Sequence, residues 1–277
     1  MTSKDSLWDR QRGVIRSRKG GWMIGKGVYY GHYSLLDDLV GRVSYFQTLL
    51  LAVLDELPER RIADWVEAMC QCMSYPDSRL WCNQIGSLSG AAHTSAVAGV
   101  TAGILASDSR MYGPGSVVKD VYDFLQQGLL QKNNKASLSQ ILRGYARRQG
   151  KRFIISGFGR PLATGDERIA VMEQVRAELG LEAGPYLKLA YDVESYLMKT
   201  QGESLNLTGY GVAVMMDIGW TRLQIQRVYA IAATSGVAAC YSEAYDNPPE
   251  SFLPLRCEDI EYRGHAPRPV PGVGEEG

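Results

Sequence analysis

Between Leu80 and Ser107 the chain runs LWCNQIGSLSGAAHTSAVAGVTAGILAS, without one Asp, Glu, Lys or Arg. A stretch of this length can span a bilayer. Its composition argues against that role. Ala, Gly, Ser and Thr predominate, and Asn83, Gln84 and His93 interrupt it. What remains is a buried helix with one face of small residues. Ser95, Gly99 and Ala102 or Gly103 recur every three or four residues, which puts them on one helix face. A second backbone can approach such a face closely. The expected partner is the same helix in a second copy of the chain.

The chain has 277 residues, 45% of them hydrophobic, enough for one large or two modest domains. Thirty Lys and Arg balance thirty Asp and Glu, and the pI is near 6.8. No cationic excess exists to neutralise phosphates, so nucleic acid is not an expected partner. Five cysteines are scattered, and Cys70 and Cys72 stand at neither a zinc nor a disulfide-framework spacing. They read as reduced thiols of a cytoplasmic protein. No basic stretch followed by an apolar run opens the chain, so no signal peptide is expected. His32, His93 and His265 are far apart, so no metal site is expected.

Along the chain, residues 1–21 form a polar, basic arm, and WMIGKGVYYGHY (22–33) reads as a short strand pair or loop. Ser34 caps a helix over SLLDDLV, and Gly41 ends it. Ser44 caps the next, with Phe46, Leu49, Leu50, Val53 and Leu54 at helical spacing. LPERRIADWVEAMCQCM is helical until SYPD breaks it. ASDSRMYGPGS (106–116) is a glycine-rich break. Further helices are expected over 117–130, 138–149, 168–179, 185–199, 212–218 and 223–245. The intervening QGESLNLTGYG (201–211) is a loop or helix entrance. The proline-rich tail from Asn247 is expected to be extended on the surface. The class is mostly α.

Six segments in order resemble the citrate synthase superfamily, and within it the short citryl-CoA lyase-like members. GKGVYYGHYSLLDDLVGRVSYFQTLLLAVLDELP resembles the family's opening segment. SGAAHTSAVAGVTAGILASDSRMYGPG resembles its small-residue helix and following His-Gly-Gly loop. GFGRP is similar to GFGHP, and LNLTGYGVAVMMDIGW to the "LNVD" helix entrance. RVYAIAATSGVAACYSEA resembles the late helix, and YRGHAPRPVP the closing Tyr-x-Gly-x-x-x-Arg-x-x-Pro segment.

The resemblance implies a helical fold with a large domain (22–116 and 205–277, the latter ending in the extended tail) and a smaller inserted helical domain (117–204). It also implies a homodimer with active sites in the interdomain cleft. The chemistry implied is enolisation of an acyl-CoA and condensation with a keto acid, or the reverse cleavage. A coenzyme A thioester is then a co-substrate, and no bound cofactor is implied.

The family's proton-moving groups are replaced. Its catalytic aspartate falls on Thr208, whose hydroxyl is not a base near neutral pH. Its loop histidine falls on Tyr112, with His93 as a competing register; Tyr112 is preferred because GPG follows it. The GFGHP histidine is Arg160. The region of the earlier histidine (73–81) holds Asp77 and Arg79 instead. The late-helix arginine is Ala233, and the final arginine is retained as Arg268.

The expected catalytic set is therefore Tyr112 as a donor to a thioester oxygen, Thr208, and Asp77 as the nearest candidate base. Arg160, Arg79, Tyr210 and Arg268 are the substrate-binding candidates, Arg160 gripping a carboxylate or phosphate bidentately. Gly157, Phe158, Gly159, Gly113 and Gly115 are the candidates for holding coenzyme A, because glycines let a backbone approach a ligand.

Plainer roles stand beside each of these. Arg160 can pair with Asp166 or Glu167, Tyr112 can be a packed turn aromatic, and Thr208 can cap a helix. Asp77 and Arg79 can be solvated turn residues, and His93 a satisfied core or interface histidine. The function is read as C–C bond formation or cleavage, or acyl transfer, on a CoA thioester and a carboxylic or keto acid. The alternative is a catalytically inactive binding or regulatory protein.

Overall fold

The structure is a computed structural model. It describes residues 6–109, 113, 115–145, 147–149, 152–160, 165–268 and 270. Twelve α-helices dominate it, with two small antiparallel sheets. The class is mostly α, as the sequence predicts.

After a short helix α1 (Leu7–Gln11), β1 (Gly20–Met23), β2 (Gly27–Tyr30) and β3 (Tyr33–Ser34) form a three-stranded meander in that order. Gly20 pairs with Tyr30, and Tyr30 with Tyr33. Ser34 then caps a single π-helical turn, Leu35–Leu39, where an α-helix is expected. Ser44 caps α2 (Tyr45–Leu54) by accepting from the Gln47 amide, while the Gln47 side chain returns to the Ser44 amide. This reciprocal capping box is a local signal, which is why the boundary is readable in sequence.

The main core joins α2, α3 (Arg60–Met73), α6 (Ser116–Asn133), α7 (Leu138–Tyr145), α8 (Glu167–Glu178), α9 (Pro185–Gln201), α10 (Leu207–Asp217) and α11 (Arg222–Tyr229). The central element is α10. Leu207 and every residue from Gly209 to Met216 are buried. A helix apolar on all sides belongs inside. It packs on α6, α8 and α9, with Trp65 of α3 against Tyr210.

The charge-free stretch divides into two helices, α4 (Trp81–Ala91) and α5 (Ala96–Ser107), rather than one. His93 lies in the turn between them, at φ +53°, with its ring stacked on Tyr245 at 4.7 Å. The glycines of both helices face α12 (Thr234–Asp246) of the same chain. A Cβ on Gly90 would stand 2.3 Å from the Tyr241 carbonyl oxygen, and one on Gly86 2.9 Å from that of Val237. A Cβ on Gly99 would meet the Tyr241 ring at 2.5 Å, and one on Gly103 a Val237 methyl at 2.3 Å. The small-residue face therefore serves a contact within the chain, correcting the expectation of a symmetry mate on that face. Close approach of three backbones needs the glycines wherever the third helix comes from. Gly90→Ala is expected to destabilise by about 2 kcal/mol, because its obstruction is backbone and cannot rotate away. Urea unfolding measures this, and an unchanged midpoint contradicts it.

Three other boundaries differ from expectation. The helix expected over 138–149 stops at Tyr145, whose hydroxyl donates to the Asp120 carbonyl at 2.8 Å. The polar residues after it carry no helical apolar period, and β4 (Arg147–Gln149) pairs with β5 (Arg152–Ile154) as a hairpin. The helix expected over 223–245 breaks at Ala230–Ala233. There the Ser235 hydroxyl donates to the Ser74 carbonyl at 2.6 Å, and the Gly236 amide to the Ser74 hydroxyl at 2.9 Å. A contact distant in sequence fixes that new helix start. Finally, α10 begins at Leu207, not Val212. The described tail, 248–268 and 270, has no regular element besides one 3-10 turn at Cys257–Asp259 and is exposed apart from a half-buried Phe252, with an anchor from the Glu250 amide to the Ala91 carbonyl. No described helix is long and apolar enough to cross a membrane.

Candidate functional site

The GFG turn and the start of α10 are built against each other. Gly157 and Gly159 have φ of +89° and +80°, left-handed values that favour glycine. The Gly159 amide donates to the Ser204 carbonyl at 2.7 Å, and the Asn206 amide to the Gly157 carbonyl at 3.0 Å. Asn206 caps α10, its Oδ1 accepting from the Gly209 amide, while its Nδ2 donates to the Gly159 carbonyl at 3.0 Å. One side chain thus starts the helix and clamps the turn. A Cβ on Gly209 would stand 2.3 Å from the Gly157 oxygen, and one on Gly157 2.9 Å from the Gly209 Cα. Phe158 packs edge-on against Phe124 at 6.0 Å. The chain's own packing accounts for these glycines before any ligand is invoked.

Arg160 leaves this turn beside a buried carboxylate. Asp166 caps α8, and its side chain is 0% exposed. It accepts from Arg168 Nε and Nη2, both at 2.7 Å, and from the Leu207 amide at 2.8 Å. Arg160 Nη1 lies 3.7 Å from Asp166 and 2.7 Å from Glu167, and donates to the Gly165 carbonyl at 3.3 Å. Arg168 Nη1 donates to the Cys72 carbonyl at 3.2 Å. Burial by itself would push the Asp166 carboxyl up. The Arg168 bonds and charge, the Leu207 amide and Arg160 together outweigh it and hold the carboxyl below its usual range.

The result is two guanidinium groups, each about a fifth exposed, around one buried carboxylate. The second acid, Glu167, is three-quarters exposed and so a weak, screened partner for Arg160. The two guanidiniums and two carboxylates balance in charge, and the Glu203 carboxylate stands against Gly159; because Glu167 is screened by water, Arg160 is the cation most open to an anion here, beside the N-terminus of α10, whose own field favours anions. Arg168 is a functional candidate that the sequence reading passed over as the opening of a helix. The available signal is the Asp-x-Arg spacing directly after the glycine turn.

The remaining candidates fall elsewhere or play other parts. Thr208 is half-buried in the first turn of α10, but the cap is Asn206; the Thr208 carbonyl accepts from the Tyr229 hydroxyl at 3.2 Å. Tyr210 is 0% exposed, with its ring 6.3 Å from Trp65. Neither its hydroxyl nor Trp65 Nε1 has a hydrogen-bond partner among the described residues. Glu173 lies close enough to act on that hydroxyl by its charge without meeting it in hydrogen-bond geometry, and burial first, then Glu173, push its pKa up. Tyr210 is thus a core residue, a correction to its placement among substrate contacts. The helix turns it inward because α10 starts five residues early.

Asp77 and Arg79 pair with each other on the loop before α4, Arg79 donating through Nε and Nη2. Those bonds hold the Asp77 carboxyl at about 2. Gly113 and Gly115 pack around Asp108, whose Oδ1 accepts from the Gly115 amide at 3.0 Å. Arg268 lies on the exposed tail. Tyr112 lies outside the described residues. Of the sequence candidates, the structure brings together Gly157, Phe158, Gly159, Arg160 and Thr208. Among the described residues, no group of three or more His, Cys, Asp or Glu is placed to hold a metal ion.

No protein-family model matches the chain, and no curated sequence does. Solved structures do. The fold superposes on citryl-CoA lyase from Hydrogenobacter thermophilus with a TM-score of 0.77 and 25% identity, covering 93% of this chain and 98% of that one. It also superposes on citrate synthase from Thermoplasma acidophilum, solved with carboxymethyl coenzyme A and oxaloacetate, with a TM-score of 0.57 and 16% identity. By fold, the chain is a member of the citrate synthase superfamily.

It is a short, citryl-CoA lyase-like form of the citrate synthase fold: it covers 59% of the Thermoplasma enzyme, against nearly all of the lyase. ATP citrate lyase from Methanosaeta concilii, in complex with (3S)-citryl-CoA, contains the same fold in 42% of its length, at TM-score 0.71 and 14% identity. In this member of the citrate synthase fold, the GFG turn carries Arg160 and the start of α10 carries Thr208.

Proposed function

We propose that this protein acts on a CoA thioester together with a carboxylic or keto acid, making or cleaving a C–C bond or transferring the acyl group. The carrying observation is the Arg160–Asp166–Arg168 cluster at the junction of the GFG turn and α10. An incoming carboxylate displaces Glu167 from Arg160 at little cost, because that ion pair faces water. Arg168, bound to the buried Asp166 through Nε and Nη2 and to the Cys72 carbonyl through Nη1, holds that anchor in place, so the carboxylate meets Arg160, whose bonds to Gly165 and Glu167 use Nη1 alone. Thr208 offers a hydroxyl beside it, Tyr112 a donor for the thioester oxygen, and the 117–204 helices form the second wall of the cleft. Neighbours bearing citryl-CoA and coenzyme A support this reading. We also propose a homodimer, formed over the outer face of α5, where Val97 and Leu105 are exposed.

A second reading has its own support. Asp77 and Asp166 are held below the usual carboxylate range by their arginines, and Glu167 by its own backbone amide and then by Arg160. A general base works best when it titrates near the working pH. None of these acids does, which favours a non-catalytic binding or regulatory protein on the same fold.

Thermal unfolding with CoA, acetyl-CoA and a panel of di- and tricarboxylates separates the two from a bare scaffold. A ligand at 100 times its Kd adds about 2.7 kcal/mol. Arg168→Lys is expected to abolish the carboxylate shift while leaving the CoA shift, since an ammonium cannot reproduce the two-pronged contact that holds Asp166 beside Arg160. Carboxylate stabilisation that survives both Arg160→Ala and Arg168→Lys rules the site out. Turnover of citryl-CoA selects catalysis; binding without turnover selects the second reading.

A further inference from the structure

The helix that supplies Asp166, Glu167 and Arg168 is lightly held. Of the twelve residues of α8 only Met172 is buried, against six in α6 and five in α9. Elements with few buried contacts shift at low cost. α8 runs antiparallel to α3 between two ties. Arg168 in its first turn donates to the Cys72 carbonyl at 3.2 Å, and the Gly180 carbonyl just past its end accepts from Arg61 Nη1, also at 3.2 Å. Glu173 stands between those ties. Two fully enclosed donors lie on this side of the core, the Tyr210 hydroxyl of α10 and, in the neighbouring ring, Trp65 Nε1 of α3. Neither has a hydrogen-bond partner among the described residues. A buried donor without an acceptor loses its hydration and gains no bond in return.

Glu173 is the acceptor within reach. Arg176 Nε and Nη2 each give its carboxylate one bond of 2.9 Å, and a carboxylate has about four lone-pair sites. Its charge already acts on the Tyr210 hydroxyl. The arginine fork that fixes it belongs to α8, so carboxylate and helix move together. We propose that Glu173 is a latch: when a ligand fills the Arg160 site, α8 seats more closely on α10 and the Glu173 carboxylate accepts the Tyr210 hydroxyl. This rests on the ligand site proposed above. A carboxylate there displaces Glu167 from Arg160 and so releases the first turn of α8 from the GFG turn. A ligand spanning the GFG turn and α8 is held from both sides only when the helix seats. Ligand and latch bond then favour the same state, which is the condition for one to promote the other.

Tyr210→Phe is the test, because it deletes the hydroxyl and keeps the ring. Without ligand, urea unfolding is expected at the parent's midpoint or above it, since the hydroxyl has no bond to lose. With ligand, the Kd of citrate in the presence of CoA, from titration calorimetry of the full chain, is expected to rise about 5-fold or more, the worth of one hydrogen bond. Hydrogen exchange over residues 167–178 is expected to slow when citrate and CoA are added to the parent and to stay fast in Tyr210→Phe. A lower midpoint for the unliganded variant means that the hydroxyl is already bonded in the free protein, and overturns the latch. Citrate affinity equal to the parent's overturns it as well. A parent that binds both probes with its exchange over 167–178 unchanged overturns the latch alone. A parent that binds neither overturns the ligand site, and the latch with it.

Discussion

Asp166→Asn lowers stability by about 3 kcal/mol, the expected cost of removing one partner from a buried ion pair whose other member is mostly enclosed. Asparagine keeps the shape and can still accept from the Leu207 amide. It cannot neutralise Arg168, which is held among the Cys72 carbonyl and the α8 start. The pH dependence follows from the sign of the shift. Asp166 titrates lower in the folded chain than its unfolded value near 4. Its contribution is therefore complete above that unfolded value and disappears as pH falls through the lower folded one. Urea unfolding from pH 7 to pH 2 is expected to show a shallower acid limb in Asp166→Asn than in the parent. Parallel limbs would mean that the carboxylate is not coupled to folding as described. The same variant is expected to lose carboxylate-dependent stabilisation at pH 7, because Arg160 and Arg168 lose their common anchor.

Gly209→Ala is the second large effect, expected at roughly 3 kcal/mol or more, near the top of the range for overpacking. The added methyl points at the Gly157 oxygen, 2.3 Å away, and the turn cannot retreat. Asn206 and Ser204 hold it by backbone bonds on both sides. For a chain of this size, that is a fall in Tm of roughly 6–12 °C. Gly157→Ala is a milder companion that adds left-handed strain and a 2.9 Å contact to the same junction. If both variants melt like the parent, the turn and the helix start are not packed as described. If they fold but lose CoA-dependent stabilisation, the junction positions the site as well as the core.

Much of the fold is legible locally. The Ser44 capping box, the Pro76 break after α3 and the apolar period of α6 and α9 each act within a few residues. They are found because the physics that makes them is short-ranged. The start of α10 is not of this kind. LNLTGYG has two glycines and a threonine, poor helix formers, and reads as a loop. It is helical because Asn206 caps it, Asp166 takes the Leu207 amide, and the GFG turn covers it. Two of those three partners lie about forty residues or more earlier. Tyr210 faces the core for the same reason.

The sequence by itself determined that the chain is mostly helical and that a charge-free glycine-rich segment packs closely. These follow from periodicity, composition and residue identity, which need no knowledge of neighbours. Only the tertiary structure decided that α12 of the same chain fills the glycine stripe, that Arg168 joins Arg160, and that Tyr210 does not. Burial and pairing depend on which distant segments meet, and a carboxylate two residues from an arginine becomes a strong anchor only when the fold removes water from it.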